Sequence, residues 1–184
     1  PQLRAALEAR AVLEAGATWL RLSRGSIPMS TSAALYERLR LMLAQLRDGR
    51  VYIDHAAFFA ANESYHASVV GLAENEYLSL GFKRLRLRDL FISALKSTPS
   101  AAENSVYFHE FLTDSIAAND ASRAVKAILS WSKQSSTSVR RSLDPESAGA
   151  TAHPELRLAG IVEDLSLAVA KEQDSLAGDV DALV

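Results

Sequence analysis

Apolar residues recur every three to four positions along most of the chain, and the period-two alternation of strands is nearly absent. Over 2–24, Leu3, Ala6, Leu7, Leu13, Ala17 and Leu20 follow helical spacing, and "RGSIPMSTS" ends the pattern with Gly25 and Pro28. A second helix is predicted over 32–48 on Leu35, Leu39, Leu41, Met42 and Leu46, with Gly49 stopping it. A third runs over 52–72, and Gly71 and Asn75 mark its end and the start of the next. The fourth, over 76–96, is rich in Leu, Phe and Arg and cannot pass Pro99. A fifth covers 100–118, and a sixth covers 121–142 behind Asp120, a good N-cap. "DPESAGATAHP" has a linker's composition, and Leu158, Ile161, Val162, Leu165 and Val169 stripe a seventh helix over 155–175. The prediction is an all-α fold, an antiparallel bundle of six to seven helices. The bundle occupies 1–143, the linker 144–153, and an additional C-terminal helix and tail 154–184.

Several polar residues fall on faces that the pattern marks for burial, where each needs a partner. On the third helix, Phe58, Asn62, Tyr65, His66 and Val69 share a face, which turns Asn62 and His66 inward. On the fifth, Val106, His109, Leu112, Thr113 and Ile116 do the same for His109. On the sixth, Ala124, Ala127, Ile128 and Trp131 turn Trp131 inward. On the first, Arg10 and Glu14 sit among the apolar positions at the i, i+4 spacing of an ion pair. The plainer readings are a hydrogen-bonded core histidine, a helix end emerging into water, and a core tryptophan. His55 and His153 read as surface or cap residues.

Composition narrows the chemistry. The 184 residues are 48% apolar, enough for one domain with a real core. A net charge of −2 and a pI near 6.1 do not supply the concentrated basic face of a nucleic-acid binder. There is no cysteine, so thiolate metal sites, disulfides and cysteine nucleophiles are excluded. No apolar run reaches the roughly 18 residues of a membrane span, and no signal-peptide pattern is present. The chain opens on Pro1 and goes almost directly into a helix, which reads as a fragment whose natural N-terminus lies elsewhere. Glu63 and His66 form one Glu-x-x-His, where a carboxylate-bridged di-iron bundle needs two and further glutamates. No Gly-x-Gly occurs on which to build a phosphate-cradling turn. An enzyme is not expected.

The order and spacing of four stretches resemble a known family. "LEARAVLEAGATWL" carries Arg10-x-x-x-Glu14 in an opening helix. "NESYHASVVGLAENEYL" carries Asn62, Tyr65, His66, Asn75 and Leu78. "YFHEFLTDSIAANDASRAV" carries His109, Ile116, Ala117, Asp120 and Ala124, and Trp131 falls eleven residues after Asp120. Over about 2–142 the chain resembles the all-helical, effector-binding FCD domain at the C-terminus of GntR-superfamily regulators of the FadR subfamily.

The resemblance implies a ligand-sensing and dimerisation domain of a bacterial transcription repressor or activator. Operator DNA would be bound by an N-terminal winged helix-turn-helix that is missing here. It implies a cytoplasmic homodimer, with no membrane partner. Many such domains hold a divalent metal, zinc or nickel, with one Asp or Asn and three His, and take a small carboxylate effector there. Carried onto this chain, the ligand positions are Asn62, His66 and His109, with Trp131 in the fourth place. An indole cannot ligate, so the better expectation is a metal-free pocket, as in the branch that senses acyl thioesters. The candidate effector residues are Arg10, Asn62, His66, His109 and Trp131, with Trp131 forming a wall or a plug. Arg84 and Arg88 join them if they face inward; otherwise they form a solvated basic face. The alternative function is a structural dimerisation bundle with a degenerate pocket.

Overall fold

A computed structural model of the chain describes residues 2–95 and 105–143. The helix expected over 155–175, the linker before it and His153 lie outside the described residues. Seven helices and one small hairpin appear among those described: α1 (Gln2–Ser23), α2 (Met29–Leu43), β1 (Leu46–Arg47), β2 (Val51–Tyr52), α3 (His55–Gly71), α4 (Glu76–Arg84), α5 (Leu87–Leu95), α6 (Ser105–Ala117) and α7 (Ala121–Leu143). The fold is all-α, as the helical periodicity predicts. No helix among the described residues is long and apolar enough to cross a membrane.

The bundle is organised around α1, which packs against α7, α3, α5 and α4. Its alanines let neighbours approach closely. Ala11, Ala15 and Leu22 enter one apolar cluster, with Leu35, Leu39, Met42, Phe58, Tyr65, Leu112, Ile116 and Ile128. Leu3, Ala6, Leu7 and Ala17 enter a second, with Val70, Ala73, Phe82 and Leu87. A helix with apolar neighbours on most sides must bury whatever polar groups share those faces. That condition places Arg10, Glu14 and Thr18 inside.

Caps fix the helix starts. The Asp120 carboxylate accepts the Arg123 N–H at 2.9 Å, as expected of an N-cap for α7. Asn75 does the same for α4 through the Tyr77 and Leu78 N–H groups, and Asp54 opens α3 by accepting from Ala57 N–H.

Two elements differ in kind from the sequence expectation, and α2 and α3 start at Met29 and His55 rather than at 32 and 52. The single helix expected over 76–96 is two helices, α4 and α5, broken where Arg86 takes φ +49°. The break has a packing reason. Phe82 and Leu87 are five residues apart, so on one straight helix they would diverge by about 140°. With the break, both are buried in the second cluster. Arg86 then holds the first turn of α5 through two bonds to the Asp89 carboxylate, at 3.0 and 2.8 Å. The second helix ends at Leu43 rather than near 48. The chain then forms a hairpin pairing Leu46 with Tyr52 and Arg47 with Val51. Asp48 and Gly49 both take positive φ in its turn. An Asp-Gly pair between "LR" and "VY" is a hairpin signal that the helical periodicity masked.

Candidate functional site

A chain of buried polar side chains crosses the bundle from α1 through α3 to α6. On α1, Arg10 and Glu14 lie one turn apart, with side chains 5% and 1% exposed, and Arg10 Nε stands 3.7 Å from Glu14 Oε1. The same Oε1 lies 2.6 Å from Nδ1 of His66 on α3. That contact is short but out of line for an N–H···O bond, so Glu14 Oε1, His66 Nδ1 and Arg10 Nε have no aligned partner. On its other side, His66 Nε2 lies 3.1 Å from Nε2 of His109 on α6. Asn62 Nδ2, one turn before His66 on α3, lies 3.1 Å from the same His109 nitrogen and 3.3 Å from Met42 Sδ.

The partners fix much of the protonation. His109 Nδ1 faces the Ser105 carbonyl, which can only accept, so Nδ1 carries the hydrogen and Nε2 offers a lone pair. That lone pair accepts from the Asn62 amide and faces His66 Nε2. With Glu14 ionised and His66 protonated only on Nδ1, two lone pairs meet at 3.1 Å. With the proton on Glu14 and the His66 hydrogen on Nε2, His66 donates to His109 and the conflict disappears. Burial pushes the Glu14 carboxyl up to about 7, against the pull of Arg10 and His109. Burial also drives both histidines well below their ordinary range, reinforced at His66 by Arg10 and at His109 first by His66. Near neutrality both rings are uncharged. The Arg10 guanidinium is lowered by burial and supported by Glu14.

Tyr65, Thr113 and Phe108 hold His109 in place. Tyr65, fully buried on α3, donates to the His109 carbonyl at 3.2 Å and meets Thr113 Oγ1 at 2.8 Å. Thr113 donates to the same carbonyl at 2.7 Å. The Tyr65 and Phe108 rings stand edge-on to the imidazole, with centroids 5.1 Å away.

Of the sequence candidates, Arg10, Asn62, His66 and His109 come together. Trp131 is half-buried, and its ring stacks on Phe108 at 4.9 Å and 6°, one aromatic layer out from His109. Phe108, not Trp131, touches the imidazole. The inward reading of Arg84 and Arg88 gives way to the solvated one. Both are exposed, and Arg88 lies 3.9 Å from Asp89. Here α4 and α5 spend their buried faces on Phe82 and Leu87. His55 opens α3 with its ring against Tyr52 and Phe59. Glu14, which the i, i+4 spacing pairs with Arg10, has its closer contact with His66. Its signal was the buried stripe shared with Arg10, but no periodicity says which helix faces that stripe.

The donor set can be tested against a divalent metal. His66 and His109 present converging Nε2 atoms, and His109 Nδ1 is engaged by the Ser105 carbonyl as in many metal-bound imidazoles, whereas His66 Nδ1 lies 2.6 Å from Glu14 Oε1 without an aligned bond. The third donor is a neutral amide. The fourth position is an indole stacked on Phe108, with no lone pair to give. No group of three or more His, Cys, Asp or Glu among the described residues is placed to hold a metal ion. Two imidazoles and an amide do not make a closed zinc site, which takes four ligands.

Comparison with known families settles the lineage. Residues 2–131, well over half of the chain, match the FCD domain. A search of curated proteins found no match. The matched span contains α1 to α6 and the start of α7, and with them every residue of the polar chain. The protein belongs to the FCD family, the ligand-binding regulatory domains of GntR-type transcription regulators rather than enzymes.

Proposed function

We propose that this bundle is the effector-sensing and dimerisation domain of a bacterial GntR-type regulator of the FadR subfamily, working in the cytoplasm as a homodimer. The observation that carries the reading is the buried chain Arg10–Glu14–His66–His109–Asn62. Apolar side chains would pack these faces with no desolvation cost, so the network is a poor choice for stability alone. It also links three helices, so a ligand that rearranges it acts on α1, α3 and α6 together.

The effector is a small carboxylate or an acyl thioester, bound without a resident metal. Its polar end takes hydrogen bonds from Asn62, the imidazoles and Arg10, while Trp131 and Phe108 form an apolar wall. Binding shifts the equilibrium between two bundle arrangements, and so the placement of winged-helix modules carried elsewhere in the regulator. Only a difference in affinity for the two arrangements does this work. The alternative, a bundle with a degenerate pocket, draws on one observation: Asn62 and His66 both already touch His109.

Thermal unfolding of the purified domain against di- and tricarboxylates and acyl thioesters separates the two. A sensor gains stability with one class, by about 2.7 kcal/mol at a hundred times Kd, and loses the response in Asn62→Ala or His109→Gln. If no member of either class moves the midpoint at millimolar concentration, the degenerate-pocket reading stands.

A further inference from the structure

Thr18 is the buried polar group of α1 that the network does not reach. Its stripe runs Arg10, Glu14, Thr18, Leu22, one residue per turn, and all four are buried. Arg10 Nε and His66 Nδ1 lack aligned bonds, yet both stand near Glu14 Oε1, at 3.7 and 2.6 Å. Thr18 Oγ1 is fully enclosed and has no hydrogen-bond partner among the described residues. A threonine inside a helix ordinarily returns its hydroxyl to the carbonyl four residues back. That carbonyl belongs to Glu14, and the Thr18 hydroxyl makes no bond to it. Helix formation does not ask for threonine here, since valine has nearly the same shape and propensity. Valine would also avoid the desolvation of an unmatched hydroxyl. The hydroxyl therefore weakens the folded domain until something else meets it.

We propose that the Thr18 hydroxyl is a specificity contact of the effector site, meeting a second polar group on a ligand whose carboxylate is held by Arg10. The proposal rests on the sensing reading and adds the ligand's class to it: a carboxylate with a further hydroxyl or carboxyl group, not an acyl thioester with an apolar tail. Arg10 Nε and Thr18 Oγ1 are unmatched groups on the two sides of Glu14 along one stripe. Arg10 Nε already reaches the level of Glu14, and Thr18 lies one turn on, about 6 Å along the axis. The ligand's two polar groups therefore stand a similar distance apart, which a short chain with a polar group at each end spans. A hydroxyl both donates and accepts, so Thr18 serves a ligand hydroxyl or a ligand carboxyl. An acyl chain on the same path would leave Thr18 buried and unmatched. A site built to hydrogen-bond a polar group rejects the analogue that lacks it for this reason.

Thermal unfolding and titration calorimetry of the 184-residue chain test this with malate, succinate, citrate, butyrate and hexanoyl-coenzyme A. At least one of the first three is expected to raise the unfolding midpoint, and the last two are not. Thr18→Val is expected to keep or raise the midpoint without ligand, because it removes an unmatched hydroxyl. The same variant should weaken binding of the responding acid about five-fold or more, and Thr18→Ser should preserve it. A Thr18→Val chain that unfolds at a lower temperature without ligand overturns the proposal, since the hydroxyl then has a structural partner. A Thr18→Val chain that binds like wild type overturns it too, as does a wild type that answers butyrate or the thioester as strongly as the best polycarboxylate. In these last two outcomes the sensing reading stands, because a ligand still binds. Silence of the wild type toward all five probes overturns the proposal and the sensing reading together.

Discussion

At the scale of single residues, the Arg10–Glu14 pair shows what the buried network costs. Glu14→Leu leaves the Arg10 guanidinium and His66 Nδ1 buried without their acidic neighbour. We expect a loss of about 3 kcal/mol in urea unfolding, the usual result of orphaning one half of a buried pair. The double variant Arg10→Met/Glu14→Leu removes both charges and is expected within about 1 kcal/mol of wild type. A mild single variant, under about 1 kcal/mol, would mean that Arg10 finds another acceptor. The Trp131 position carries a second expectation. After dialysis, the wild-type domain should retain well under one equivalent of zinc by elemental analysis, because an indole stands where a fourth donor is needed. Trp131→His tests whether that position alone is missing, and tighter zinc retention in the variant is the expected outcome.

At the scale of elements, the joints matter more than the helices. Between α6 and α7, Asn119 takes φ +58°, and its side-chain oxygen accepts the Ile27 N–H at 2.7 Å across 92 residues of sequence. Asn119→Gly keeps the left-handed conformation but loses this link between the α6–α7 turn and the segment before α2. Asp120→Ala loses the cap of α7 and should cost about 1 kcal/mol by thermal or urea unfolding. The Asp120 cap was legible because capping is local: a short acceptor stands just before a periodic run. The α4–α5 break was not legible. No glycine or proline marks it, and the left-handed turn at Arg86 is stabilised by burial of Phe82 and Leu87 in a cluster made by distant segments. The Asp48–Gly49 hairpin was legible in principle, but Leu46 also continued the spacing of the preceding helix and was absorbed into it.

At the scale of the whole molecule, the buried titratable groups make stability depend on pH. Unfolded histidine takes up a proton near pH 6.5, whereas burial holds His66 and His109 neutral well below that in the folded chain. The unfolded state therefore binds more protons as pH falls, and stability drops. Glu14 works the other way. Folded, it holds its proton up to about pH 7, but unfolded only to about 4.5. Below 6.5, two histidine uptakes oppose one retained glutamate proton. The net of about one proton corresponds to a loss approaching about 1.4 kcal/mol per pH unit. Chemical unfolding at pH 7.5 and 5.5 checks the sign. His109→Gln removes one of the two uptakes and should flatten the slope. A domain that grows more stable on acidification would show that Glu14 outweighs the histidines.

Local sequence pattern was enough for the helical class, the starts of α1, α4 and α7, and the inward direction of Asn62, His66 and His109. Each of these follows from local rules: a 3.6-residue period, an N-cap acceptor, a shared helix face. Family membership was also legible, since it resides in the order and spacing of short stretches. Tertiary structure alone decided which inward groups meet. Glu14 reaches His66 because α1 lies against α3. Trp131 stacks on Phe108 and leaves the imidazoles to their polar neighbours. Arg84 and Arg88 face water because a broken helix buried Phe82 and Leu87 instead. Periodicity assigns a residue to a face of its own helix. The partner of that face is set by close packing between segments far apart in the chain, which no local pattern records.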